Sequence, residues 1–125
     1  MAGVVAVAFL LLSQGSRSDP ILPATGETYA QGKAVYDSTC AACHGANGEG
    51  GVGAILNGSP ESHSWHHLDA QLIRIVKEGI PGSEMPPHAE HLTDEEIIAV
   101  LSYIKTWWSD EQLAMQRTGQ HPMGP

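Results

Sequence analysis

Cys40-Ala41-Ala42-Cys43-His44 is the stretch on which the reading of this chain turns. Two thiols three positions apart lie one helical turn from each other, and a histidine follows at once. At that spacing both thiols can form thioethers to the vinyl groups of a haem, while the adjoining imidazole is held beneath the iron. These are the only two cysteines in 125 residues, so the chain alone can build no disulfide framework and no four-cysteine zinc or iron–sulfur site. A thiol-redox pair or a zinc site is the competing reading. A redox CxxC belongs beside a βαβ pattern, and the flanking sequence has no alternating strand-like runs.

Upstream of the thiols, Tyr29, Gly32, Tyr36 and Cys40 recur at steps of three or four and predict a helix over Thr25 to Ala42. A mid-helix glycine costs about 1 kcal/mol against alanine, so Gly32 is read either as a place where a second helix crosses closely, the preferred reading, or as a glycine the helix simply tolerates. Downstream, Gly48-x-Gly50-x-x-Gly53 matches a dinucleotide fingerprint in form only. That motif needs a strand before it and a helix after it, and neither is present here. Glycines of this kind suit backbone passing close to a flat macrocycle.

Asp69 is expected to cap a second helix, with Leu68 and Ile73 as a hydrophobic staple, Leu72, Ile75 and Val76 as the buried stripe and Gly79 as the stop. Thr93 with Glu96 forms a capping box that opens a last helix. Its apolar positions are Ile97, Val100, Leu101, Ile104, Trp107 and Trp108, and it is the expected partner for Gly32 and Tyr36. Beyond Asp110 a polar stretch of helical propensity leads into a tail, Gly119 to Pro125. No repeat and no strand-like alternation is visible, so the fold class is all-α.

With these landmarks the chain resembles the class I monohaem c-type cytochromes over about Thr25 to Trp108. The likeness rests on Gly32 and Tyr36 ahead of the CAACHG stretch, on Gly79-Ile80-Pro81-Gly82-Ser83-Glu84-Met85-Pro86-Pro87, and on a closing helix from Leu92 to Ile104. It implies a small cytochrome c fold, three to five helices wrapped around one covalently bound haem, with the N- and C-terminal helices crossing. It implies haem c attached through Cys40 and Cys43, with His44 and Met85 as the axial ligands of the iron. The family's Gly-Pro-x-Leu, whose proline carbonyl accepts a hydrogen bond from the proximal histidine, reads Gly53-Ala54-Ile55-Leu56 here. The carbonyl of Ala54 survives that replacement.

His63, His66, His67, His88, His91 and His121, with Met115 and Met123, are rival ligands. Met85 is preferred because it sits in an extended proline-rich loop, with enough chain after His44 to pass round one edge of a haem. An iron held from both faces has no vacant position for substrate, which favours electron transfer, and thioether sulfur raises the potential relative to a second imidazole. The run His63-Ser64-Trp65-His66-His67 reads either as a copper or zinc cluster or as a solvated loop. Trp65 has a separate role open to it, as an indole donor to a haem propionate. Arg74 has the same role open to it, or an exposed place on a helix.

The length suits one domain near the lower end of what buries a core unaided, and a haem would supply much of that core. The apo chain is therefore expected to be largely unfolded. The apolar run Ala2 to Leu12 is too short to span a bilayer and suits an export signal, although no lysine or arginine precedes it. The expected organisation is an export signal or truncated membrane anchor over 1–19, a cytochrome c domain over 20–110 and a C-terminal tail over 111–125. The formal charge is −8, and removing residues 1–19 takes away Arg17 and Asp19 together, leaving it unchanged. That charge argues against nucleic acid and for steering toward a basic patch on a redox partner.

The expectation is a non-enzymatic carrier that shuttles one electron at a time between larger redox proteins, periplasmic or otherwise extracytoplasmic, soluble or anchored through its N-terminal segment. The alternatives are a haem-bearing subunit or domain of a membrane oxidase or dehydrogenase complex, and a haem sensor or peroxidase-like enzyme. The last requires an open sixth position on the iron.

Overall fold

In the computed structural model, which describes residues 19–119, helix α1 (Gly26–Val35) runs into a π-helical turn (Tyr36–Cys40) and then a short helix α2 (Ala41–His44). The helix expected over Thr25 to Ala42 is therefore continuous in direction but widened in its last third. In the π turn the Ala41 N–H reaches back five residues to the Tyr36 carbonyl. The Ser38 hydroxyl donates to the Ala34 carbonyl at 3.0 Å, a back-bond that loosens a helix at that point. Nothing in the periodicity of the side chains announces this extra residue.

A 3₁₀ turn (Ser64–His66) precedes helix α3 (Asp69–Glu78), followed by α4 (Asp94–Lys105) and α5 (Asp110–Thr118), and there is no strand among the described residues. The principal packing is the crossing of α1 over α4. Gly32 is buried there, where a Cβ would press on the Ala99 carbonyl oxygen and lie 2.7 Å from Tyr103 Cβ. Absence of a side chain is what lets the two backbones meet. Tyr36, 0% exposed, fills the space beside the crossing, and its hydroxyl donates to the Gly45 carbonyl at 2.6 Å. The crossing thus fixes the first residue after His44. Ile97, Val100, Leu101 and Ile104 of α4 complete the core, each side chain contributing about 1.5–3 kcal/mol on burial.

Two helix ends differ from expectation. Asp69 does not cap α3: Leu68 holds the N-cap position and Asp69 is the first helical residue. Its carboxylate is drawn instead into a tertiary network. Oδ1 accepts from Lys105 Nζ at 2.6 Å and from Gln116 Nε2 at 2.9 Å, and Oδ2 accepts from the Ile21 N–H at 2.9 Å. Lys105, 2% exposed, also donates to the Ile21 carbonyl at 2.7 Å and to Gln116 Oε1 at 3.2 Å. A buried ammonium with three acceptors is a satisfied one.

The second difference is that α4 stops at Lys105, so Trp107 and Trp108 lie in the turn that follows. Trp108 Nε1 donates across to the Leu56 carbonyl at 2.8 Å and pins the loop beyond His44. The polar stretch beyond Asp110 forms α5, in keeping with its helical propensity, opened by Ser109 and Gln112 in a reciprocal capping box. Gln116 is buried, its amide donating to the His67 carbonyl and to Asp69 Oδ1, each at 2.9 Å. The Thr93–Glu96 box and the stop at Gly79 stand where expected. Residues 1–18 and the stretch beyond Gly119, with the export segment and His121 and Met123, lie outside the described residues. No helix among the described residues is long and apolar enough to cross a membrane.

Candidate haem site

The last residue of the π-helical turn, Cys40, and the third residue of α2, Cys43, present the two thiols. Cys40 is half-buried and packs on the core, Cys43 is exposed, and both are free. Burial, reinforced by the neighbouring Cys43 thiolate, pushes the Cys40 thiol up to about 11. A redox CxxC belongs beside a βαβ unit, and the described residues have none around Cys40. Among the described residues no three His, Cys, Asp or Glu side chains are grouped to hold a metal ion, which leaves His63, His66 and His67 without such a cluster. The His66 ring packs edge to face on His63 at 5.1 Å and on Trp65 at 4.2 Å.

The loop after α2 folds back on the end of that helix. Gly50 N–H donates to the His44 carbonyl and Gly53 N–H to the Cys43 carbonyl, each at 2.7 Å, so the last carbonyls of α2 are satisfied by the glycine-rich loop. This return brings the Ala54 carbonyl oxygen to 2.7 Å from His44 Nδ1. A carbonyl only accepts, so Nδ1 carries the proton and Nε2 keeps its lone pair for a metal. The ring lies flat against Gly53, where a Cβ would stand 2.8 Å from Cε1 and 2.9 Å from Nδ1.

Met85 lies in the loop after α3, half-buried, with its carbonyl accepting from Ile80 N–H at 3.2 Å and its own N–H donating to Ser83 Oγ at 3.2 Å. Just beyond it, His88 is buried, and its Nδ1 and His91 Nε2 are 2.8 Å apart. Burial holds the His88 imidazole below its ordinary value, with the charges of His91 and His44 adding to the effect. Sequence reasoning treated His88 only as a rival ligand and missed this pairing, which the spacing of three residues would have allowed.

Trp65 is 7% exposed, and its indole N–H has no hydrogen-bond partner among the described residues. Leaving a buried N–H unpaired costs about 1–3 kcal/mol. Arg74 is exposed on α3.

Against known proteins, residues 27–104 match the family described as cytochrome c oxidase, cbb3-type, subunit III, and the chain belongs to that cytochrome c family. Dihydro-heme d1 dehydrogenase of Pseudomonas aeruginosa is 33% identical over 100 residues, covering 75% of this chain and 20% of that protein. Cytochrome c-553-like of Synechocystis sp. is 29% identical over 112 residues, covering 85% of this chain and 99% of that one. The chain therefore spans a fifth of the first relative and nearly the whole of the second. Cytochrome cL from Hyphomicrobium denitrificans superimposes with a TM-score of 0.58 at 27% identity, over 80% of this chain and 64% of that structure.

The all-α cytochrome c fold and a covalent haem c follow from that membership. The residues present fit the group. Two free thiols stand a helical turn apart, one imidazole is locked with a lone pair available, and one buried indole donor is left without an acceptor.

Proposed function

We propose that the chain carries single electrons between protein redox partners on a haem c joined to Cys40 and Cys43, with His44 and Met85 as the two axial ligands. The haem supplies a one-electron couple; the chain supplies ligation, burial and a docking surface. The observation that carries this reading is the His44 Nδ1 to Ala54 carbonyl contact at 2.7 Å, because it leaves the other ring nitrogen's lone pair free for a metal and orients the ring. The place of Met85 in the proline-rich loop after α3, where helix geometry does not hide its side chain, supports it as the opposite ligand. A thioether and an imidazole together favour ferrous iron and a potential on the oxidising side. Trp65 is assigned as donor to a haem propionate, and the domain as a cytochrome c unit preceded by an export segment that delivers it outside the cytoplasm.

A pyridine haemochrome spectrum on the purified chain tests covalent attachment directly. Met85→Ala is expected to abolish the near-infrared sulfur–iron charge-transfer band; an unchanged band rejects Met85 as ligand. Rapid carbon monoxide binding by the wild-type ferrous protein would point to an open sixth position and a sensor or peroxidase-like role.

The match to an oxidase subunit family favours a second reading, in which this chain is the haem-bearing part of a membrane complex. Co-purification with a catalytic subunit from the native source distinguishes it from a free carrier.

A further inference from the structure

The Ala54 carbonyl stands 2.7 Å from His44 Nδ1, yet it follows Gly50, Gly51 and Gly53, and an alanine at 54 leaves its own φ free. Glycine loses more backbone freedom on ordering than any other residue, so the carbonyl needs holding from outside its own loop. Ahead of it, the Gly53 N–H is tied to the Cys43 carbonyl at 2.7 Å. Behind it, the Leu56 N–H donates to the Gly48 carbonyl at 2.8 Å, and the Ile55 carbonyl accepts from Ser62 Oγ at 3.1 Å. Ser62 is 1% exposed. Its hydroxyl lies 2.8 Å from Ser64 Oγ, which in turn reaches the Leu56 carbonyl at 3.1 Å.

These three hydroxyl contacts share two protons, one from each serine. The Leu56 carbonyl already accepts from Trp108 Nε1 at 2.8 Å, whereas Ser62 is the one donor to the Ile55 carbonyl among the described residues. The arrangement that leaves neither carbonyl unpaired therefore has Ser64 donating to Ser62 and Ser62 donating to Ile55. Each bond of such a chain polarises the next. Ala54 is then held between two anchored neighbours, Gly53 and Ile55.

We propose that Ser62, backed by Ser64, is a positioning residue for the haem: by holding the Ile55 carbonyl it keeps the Ala54 carbonyl on His44 Nδ1, and so sets the basicity of the axial imidazole and the potential of the iron. This rests on the haem c reading of the same site. An imidazole whose Nδ1–H is firmly bonded is a stronger donor at Nε2 and favours ferric iron. Releasing the clamp weakens that bond, makes His44 the poorer donor and moves the potential up. A serine that did no more than satisfy a buried carbonyl would change stability and leave the potential alone.

The test uses the full haem-loaded protein and reads two quantities: the midpoint potential by spectroelectrochemical titration, and solvent exchange of the His44 Nδ1 proton by NMR in the ferrous state. Ser62→Ala is expected to raise the midpoint and to quicken that exchange about fivefold or more, the ratio that weakening one hydrogen bond brings. Ser64→Ala is expected to shift both in the same direction by less, because Ser62 still holds Ile55. Proline at 54 would fix φ there without displacing a bond, since the Ala54 N–H has no acceptor among the described residues. Ala54→Pro combined with Ser62→Ala is therefore expected to return midpoint and exchange to their wild-type values. A Ser62→Ala protein with a lowered Tm but wild-type midpoint and exchange overturns the clamp, as does a larger shift in Ser64→Ala than in Ser62→Ala. Should Ser62→Ala fail to hold haem, the double variant carries the test: it must regain both haem and the wild-type midpoint, and failure to do so overturns the clamp. A haemochrome spectrum on the same samples separates the failures. A wild type without covalent haem refutes the haem reading and the clamp with it, and a haem-bearing Ser62→Ala with unmoved potential refutes the clamp alone.

Discussion

A methyl group added at Gly53 has nowhere to go, because the His44 ring already occupies the space within 2.8–3.2 Å of where it would stand. Gly53→Ala is therefore expected to tilt the imidazole and lengthen its bond to the Ala54 carbonyl, an overpacking cost of about 1–3 kcal/mol. Thermal denaturation of the holo-protein with the visible spectrum as probe checks it; an unchanged Tm and Soret band would mean the ring has room to move. Asp69 is the other residue whose surroundings decide its behaviour. Burial alone would raise its carboxyl, yet the hydrogen bonds from Lys105, the Ile21 N–H and Gln116, helped by the Lys105 charge, outweigh that and hold it below the ordinary 3.8. The folded protein thus binds this proton less readily than the unfolded chain. The stabilisation is complete above pH 3.8, declines as pH falls below that value, and is gone once the pH is below the folded pKa. Urea midpoints measured down through this range should fall more steeply in wild type than in a variant lacking the carboxylate. Asp69→Asn itself strands a buried ammonium and is expected to cost about 3 kcal/mol at neutral pH. Lys105→Met removes the cation and leaves Asp69 its two other donors, so its loss should be the smaller of the two.

Between helices, the crossing of α1 over α4 depends on one absent side chain. Gly32→Ala puts a methyl against the Ala99 carbonyl and Tyr103 Cβ, forcing the helices apart at a cost of about 3 kcal/mol. In a domain this small that lowers Tm by more than 10 °C, on the order of 4–8 °C per kcal/mol. A Tm within a few degrees of wild type would show that the crossing can slide. This contact was legible in the sequence because a glycine inside a helical period weakens the helix, and a close crossing is what returns that loss. The Thr93–Glu96 box and the Gly79 stop were legible because each is a local signal with a local cause. The π turn was not, since it arises where the ladder slips by one residue, and Tyr36-Asp37-Ser38-Thr39-Cys40 looks ordinary at helical spacing. Asp69 misled for a related reason. An aspartate at a helix start resembles a cap until Lys105, 36 residues away, competes for it.

Across the whole molecule, the formal charge of −8 sets the reach of its encounters. With a Debye length of about 10 Å at 0.1 M salt, electron exchange with a basic partner should slow as ionic strength rises, and exchange with an acidic small oxidant should quicken. Stopped-flow rates against both kinds of reagent check this, and rates indifferent to salt would remove charge from the account. At this scale the sequence told the class of fold and the attachment motif plainly, since CAACHG, the Met85 loop and the closing helix are each written in contiguous residues. It did not tell that α5 closes over the 3₁₀ turn, because a polar helix reveals its buried face only through a partner such as His67. The ion pair at the heart of that closure also bears on trimming. Its outermost partners are Ile21 and Gln116, beyond the matched span of 27–104 on both sides. A fragment cut to the family boundaries would lose both Lys105 and its neighbours, whereas digestion from either terminus should stall once it reaches these two anchors. The minimal autonomous unit is therefore defined by one carboxylate's circle of donors rather than by resemblance to kin.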